Sequence, residues 1–169
     1  SMGRGGGGKT SFVALMTKHF IKVDNTPVLL VDADPDQNLA EMVGVDLSEE
    51  GRKTISELLI ETFMEKGGTT AGVPPSERIE GKIWESGLYE GEHFDLMAVG
   101  PKWTEGCYCL PDAALKRALG RLTKTYKHVL VDPPAGLEHL NRKITSEGDN
   151  IFDIGWLRGQ ARSQIRVIR

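Results

Sequence analysis

Two uninterrupted apolar runs, each closed by an acid, frame this chain: Val28-Leu29-Leu30-Val31-Asp32 and His128-Val129-Leu130-Val131-Asp132. Continuous runs of this kind suit strands buried on both faces of a parallel sheet. Phe94 to Val99 predicts a third strand, ended by Gly100-Pro101. Elsewhere the apolar spacing is helical. From Lys9 to Phe20, the residues Phe12, Leu15, Met16, His19 and Phe20 predict one buried stripe with His19 packed inside it. Asn38 to Val45 predicts a short helix. Thr54 to Lys66 predicts a longer one, with Ile55, Leu58, Leu59, Thr62 and Phe63 on one face. Thr54-Ile55-Ser56-Glu57 has the form of a capping box at its start. Gly67 to Pro75 reads as a loop, and the mostly polar stretch 76–93 holds an amphipathic segment around Ile79, Ile83 and Trp84. Pro111 to Thr125 predicts a helix opened by proline, with Ala114, Leu115, Ala118, Leu119 and Leu122 as its stripe. Strands alternating with helices indicate an α/β fold, a three-layer sandwich around a mostly parallel sheet.

The pattern changes after Asn150. Residues 156–169 contain four arginines and no acid. Written as a helix, this segment places Arg158, Arg162 and Arg166 on one face and Leu157, Ala161, Ile165 and Ile168 on the other. An amphipathic docking helix, an anion-binding tail and a solvated terminus are the alternatives. The expected organisation is one domain over 1–153 followed by an atypical basic tail over 154–169.

Composition narrows the function classes. At 169 residues, with 39% apolar and 27% charged residues, the chain suits one soluble globular core. A net charge of −3 gives no global footprint for nucleic acid. No apolar run approaches a membrane span, and no signal-peptide pattern occurs. Two cysteines, two positions apart, make no disulfide framework, so a reducing cytoplasm is the expected compartment.

The chemistry is concentrated at the start. Gly3-Arg4-Gly5-Gly6-Gly7-Gly8-Lys9-Thr10-Ser11 satisfies G-x-x-x-x-G-K-[ST], the P-loop pattern. Glycines allow backbone N–H groups to approach phosphate oxygens without Cβ clashes. Lys9 reaches the β- and γ-phosphates, the Thr10 hydroxyl ligates Mg²⁺, and the following helix turns its N-terminal dipole towards the anion. A flexible glycine tract is the plain alternative. Only Ser1 and Met2 precede the motif, so either the strand that normally leads into a P-loop is missing or the sequence is incomplete. Asp32, Asp34 and Asp36 fall just past the first strand's carboxyl end, where open α/β sheets bind ligands; acids that merely solvate a loop are the alternative. Asp132 reads as a Walker B acid holding a Mg²⁺-bound water. Pro133 and Pro134 force the chain out of the sheet after it.

Gly3 to Ser11 resembles the deviant Walker A motif of the MinD/ParA/nitrogenase iron-protein class of ATPases. Arg4 stands where that class carries its signature lysine. Val31-Asp32-Ala33-Asp34-Pro35 resembles the class's switch I. Gly106-Cys107-Tyr108-Cys109, followed by Asp132-x-x-Ala135-Gly136-x-Glu138-His139-Leu140-x-Arg142, resembles the CooC-type ATPases that assist nickel insertion into carbon monoxide dehydrogenase. The resemblance covers residues 3 to about 153. It implies a homodimer that sandwiches two ATPs between facing P-loops, with ADP and phosphate as products and the carbon monoxide dehydrogenase apo-enzyme as partner. It implies that Gly5, Gly6, Gly7, Gly8, Lys9, Thr10 and Ser11 cradle the nucleotide. It also implies that Arg4 acts in trans, that Asp34 positions the attacking water and that Asp32 orients the Mg²⁺ shell. Gly7 replaces the usual valine, Pro134 replaces a frequent acid, and the family continues well past residue 169. A degenerate fragment that binds without hydrolysing, and a ParA-like DNA-partitioning ATPase, are the competing readings.

Cys107 and Cys109 supply two thiolates where a soft site for Zn²⁺, or a thiolate site for Ni²⁺, wants four. Two chains related by a two-fold axis, each donating its pair, complete the set. One metal per dimer is therefore expected; two ordinary loop thiols and, less readily in a reducing compartment, a strained local disulfide are the alternatives.

Overall fold

The computed structural model describes residues 8–64, 75–101, 120–122, 124–133, 151–156 and 163–168. Five bounded helical segments, a helical stretch at 120–122 and six strands fall within them, and the strands at 28–32, 94–98 and 128–132 are direct neighbours in one sheet. Strand β1 (Val28–Asp32) lies at the centre, fully buried along its length. It pairs in parallel with β3 (Phe94–Ala98) on one side and β4 (His128–Asp132) on the other. The short β2 (Tyr89–Glu90) adds antiparallel to β3, giving the order β2-β3-β1-β4. The sheet is mixed but mostly parallel, as the apolar runs predicted.

Burial separates along β1 with the period of a strand. Val28 and Leu30 pack with Val13, Leu39, Ala40 and Leu96 on one face. Leu29 and Val31 pack with Ile55, Leu58, Ile79, Ile83 and Met97 on the other. The first layer comes from α1 (Lys9–Lys22) and α2 (Asn38–Met42), the second from α3 (Ile55–Met64) and α4 (Pro75–Lys82). A π-helical turn, Ile83–Gly87, continues α4. Ile79 and Ile83 are buried in the core while Trp84 faces out, so the amphipathic reading of that polar stretch holds.

The α3 capping box forms. Thr54 N–H donates to Glu57 Oε2 at 2.7 Å, and Glu57 N–H donates back to Thr54 Oγ1 at 3.3 Å. Behind it, Gly100 adopts φ 83°, and a Cβ there would stand 2.6 Å from Thr54 Oγ1.

Four expectations are corrected. The buried side of α1 carries Val13 and Thr17, not Leu15 and His19, which are exposed. Thr17 is buried because its hydroxyl donates to the Val13 carbonyl at 2.8 Å, which removes its need for water. The α2 helix ends at Met42, three residues earlier than expected, with Gly44 at φ 81° terminating the turn. Strand β4 is half-buried over residues 128–131 because it is the last strand of the sheet among the described residues. Of the alternatives for the basic segment, the helix does not form over 163–168: strand β6 (Ser163–Ile168) pairs antiparallel with β5 (Ile151–Trp156) in a separate two-stranded sheet. Alternating Ile165 and Val167 supply the β-branched residues that favour this. Of the helix expected over 111–125, residues 120–122 are helical and most of the rest lies outside the described residues.

Candidate functional site

The site is built where α1 begins and where β1 and β4 end. Gly8 takes φ 84° and ψ 10°, a left-handed conformation open to glycine, and the chain turns from there into α1. Phe12 N–H donates to the Gly8 carbonyl at 2.9 Å, closing the first helical turn. Gly8 at the N-cap offers no side chain to cap this end, and the first turn carries no acid. The leading amides of Lys9, Thr10 and Ser11 therefore receive no cap from that position, and the helix dipole adds to their pull on an anion. The other end of α1 is fixed on the sheet: Phe20 stacks on His128 at the start of β4, with ring centroids 4.1 Å apart.

Asp32 and Asp132 are register partners at the carboxyl ends of β1 and β4. Both are buried. Asp32 Oδ1 accepts the Asp34 N–H at 3.1 Å, and Oδ2 accepts the Leu39 N–H at 3.0 Å. Burial pushes the Asp32 carboxyl up to about 6. The two amides oppose the rise, and the charges of Asp132 and Asp34 add to it.

Asp132 has a different environment. Neither carboxylate oxygen has a partner at hydrogen-bond geometry among the described residues. Burial raises its pKa, while the Thr10 hydroxyl and then the Lys9 ammonium pull it back down and Asp34 pushes it up. Thr10 and Lys9 therefore face Asp132 closely enough to act on its charge, without saturating its oxygens. An orphaned buried carboxylate is costly to keep, and together with the neighbouring Thr10 hydroxyl it gives oxygen ligands of the kind Mg²⁺ takes.

Between these acids runs the loop 33–37. Ala33 N–H donates to the Asp132 carbonyl at 3.0 Å. Asp34 is half-exposed; its Oδ1 accepts the Asp36 N–H at 3.1 Å and its carbonyl accepts the Gln37 N–H at 3.1 Å. On the far side, Val99 N–H donates to the Asp32 carbonyl at 2.8 Å. The last residue of β1 is thus tied to both neighbouring strands.

Of the sequence-derived candidates, the structure places Gly8, Lys9, Thr10 and Ser11 at the head of α1 and Asp32, Asp34 and Asp132 at the ends of the central strands, with Thr10, Lys9 and Asp34 acting on Asp132. Arg4, Gly5, Gly6 and Gly7 lie outside the described residues, as do Cys107, Cys109 and the segment 135–142. No cluster of three or more metal-ligating side chains occurs among the described residues. None of their helices is long and apolar enough to cross a membrane. The amides of Ala33 and Leu39 are site components that residue types could not reveal, because any residue but proline supplies them.

A family model described as AAA domain matches residues 1–152. An uncharacterized ATP-binding protein of Methanocaldococcus jannaschii is 37% identical over 149 residues, which is 87% of this chain and 56% of that protein. The carbon monoxide dehydrogenase accessory protein CooC of Rhodospirillum rubrum is 31% identical over 149 residues, covering 83% of this chain and 55% of that one. Among solved structures, apo McdA of Cyanthece has a TM-score of 0.49 at 19% identity, covering 81% of this chain and 48% of that one. The chain spans about half the length of these relatives.

Proposed function

The chain belongs to the AAA domain family, and on that premise we propose that it binds ATP with Mg²⁺ at the head of α1 and hydrolyses it to drive a metal-delivery cycle. One observation carries the nucleotide part: the buried Asp132 carboxylate beside Thr10 and Lys9, neither of its oxygens meeting a partner at hydrogen-bond geometry among the described residues. The name of the Methanocaldococcus jannaschii relative supports the same reading. Thr10 and, through a bound water, Asp132 would hold Mg²⁺, which supplies charge neutralisation across the β- and γ-phosphates.

The remaining roles belong to the chain. Lys9 pairs with phosphate oxygens, and the glycine backbone with the first α1 amides, including that of Ser11, satisfies the others. Asp34 orients the attacking water. The water oxygen bonds to the γ-phosphorus, the bond to the β–γ bridging oxygen breaks, and ADP leaves with that electron pair. The proton of the water passes to the released phosphate or to solvent. Arg4 of a second copy stabilises the charge that develops on the transferred group.

The delivery part rests on sequence. Gly106-Cys107-Tyr108-Cys109 and the motif after Asp132 occur in a chain that is 31% identical to a carbon monoxide dehydrogenase accessory protein. The cargo in this reading is Ni²⁺, with Zn²⁺ as the competing ion, held between the Cys107/Cys109 pairs of a homodimer. The recipient is the carbon monoxide dehydrogenase apo-enzyme. Calorimetry with Mg²⁺–ATP, phosphate release, and native mass measurement during Ni²⁺ titration test the reading together. Nucleotide binding, turnover, and one ion per two chains that Cys107→Ser abolishes are expected. Absence of nucleotide binding overturns the whole reading. One ion per monomer, or no uptake by reduced protein, overturns the shared metal site alone.

A further inference from the structure

The two buried acids at the strand ends are alike in position and opposite in use. Each Asp32 oxygen already accepts a backbone N–H, from Asp34 and from Leu39. Those two amides bracket the whole turn 34–38 and the first turn of α2, so one carboxylate closes that loop onto the sheet. Neither Asp132 oxygen is so engaged among the described residues.

We propose that Asp32 is a positioning residue for the loop 33–39, setting where Asp34 stands over the site, and that Asp132 alone of the pair serves the cation. This division deepens the hydrolysis reading and rests on it for its catalytic consequence. A carboxylate suits position 32 because each N–H donor meets its own oxygen, and an amide there would turn an NH₂ group towards one of the two donors. A cation drawn to Asp32 would compete with these amides and loosen the loop that carries Asp34. The arrangement therefore predicts that loop order and cation affinity depend on different acids.

Amide hydrogen exchange followed by nuclear magnetic resonance on the full chain reads the first; Mg²⁺-dependent nucleotide binding reads the second. In Asp32→Ala, the Asp34 and Leu39 amides should exchange about tenfold faster or more, as expected for losing a charge-assisted bond. Amides in the β1–β3 ladder should keep their protection. The nucleotide affinity should change by less than about threefold, while phosphate release falls by more than about tenfold. Asp32→Asn, a milder change should the alanine variant fold poorly, retains one acceptor oxygen and should release one of the two amides. Asp132→Asn should show the reverse: protected Asp34 and Leu39 amides and a lost Mg²⁺ dependence. Unchanged exchange at both amides in Asp32→Asn and Asp32→Ala overturns the proposal, as does loss of Mg²⁺ dependence in Asp32→Asn with both amides still protected. If the parent chain does not turn over ATP, the hydrolysis reading fails, while the exchange measurement still decides whether Asp32 holds the loop.

Discussion

Asp32 and Asp132 face each other across a parallel strand pair, yet the first spends both carboxylate oxygens on backbone amides and the second has no partner for either among the described residues. Burial raises both carboxyls. The contrast sets the expectations below.

Stability should fall as pH rises through the Asp32 titration. Its folded value of about 6 lies above an unfolded carboxyl near its ordinary value of 3.8. The folded state therefore holds the extra proton between roughly pH 4 and 6, and its advantage is full below that window and lost above it. Urea midpoints of the parent should decline across this range. Asp32→Asn, which cannot titrate, should flatten the decline. An equal pH slope in parent and variant would assign the effect to other groups.

Asp132→Asn should raise the melting temperature of the nucleotide-free protein at neutral pH. The substitution removes a buried charge whose ionised form burial disfavours. The same variant should weaken ATP binding in Mg²⁺ and leave binding in chelator little changed. Thermal melts and paired titrations check both. A variant less stable than the parent would mean that the carboxylate has gained a stabilising partner.

Lys9→Ala should weaken nucleotide binding by roughly 1.5–3 kcal/mol, the worth of a charge-assisted hydrogen bond. Calorimetry at one salt concentration measures it. Affinity equal to the parent's would remove the P-loop reading of residues 3–11.

Gly100→Ala should destabilise the fold by roughly 1–3 kcal/mol. Position 100 requires φ 83°, and the added methyl would meet Thr54 Oγ1 at 2.6 Å and Thr54 Cβ at 2.7 Å. The shift would also disturb the α3 cap. A urea midpoint within error of the parent's would show that Thr54 yields without cost.

Much of this architecture was legible because burial on both faces leaves a crude signature. The run Val28–Val31 has no polar interruption, and its strand is the centre of the sheet. The capping box at Thr54 was legible because its chemistry is local to four residues. The α1 stripe was misplaced because Thr17 hides its hydroxyl on its own helix, while Leu15 stays 66% exposed. The fate of 163–168 was missed because Ile165, Arg166, Val167 and Ile168 fit either period, and only the pairing with β5 decides. In the candidate site, the placement of Lys9 and Thr10 at the head of α1 and of the two acids at the strand ends was readable from motif and position. The difference between Asp32 and Asp132 was not, since it depends on which amides a loop seven residues long brings back to the strand end.

The bond from Ala33 N–H to the Asp132 carbonyl has a consequence for how such sites diverge. Asp132 meets α1 with its side chain and the loop with its main chain. Replacing the side chain interrupts only the first conversation. The second survives every substitution at position 132 and is silenced at position 33 by proline alone, the residue with no N–H to give. Part of this site's wiring is thus written in a script shared by nearly all amino acids, where two aligned sequences can agree at every site residue and still differ.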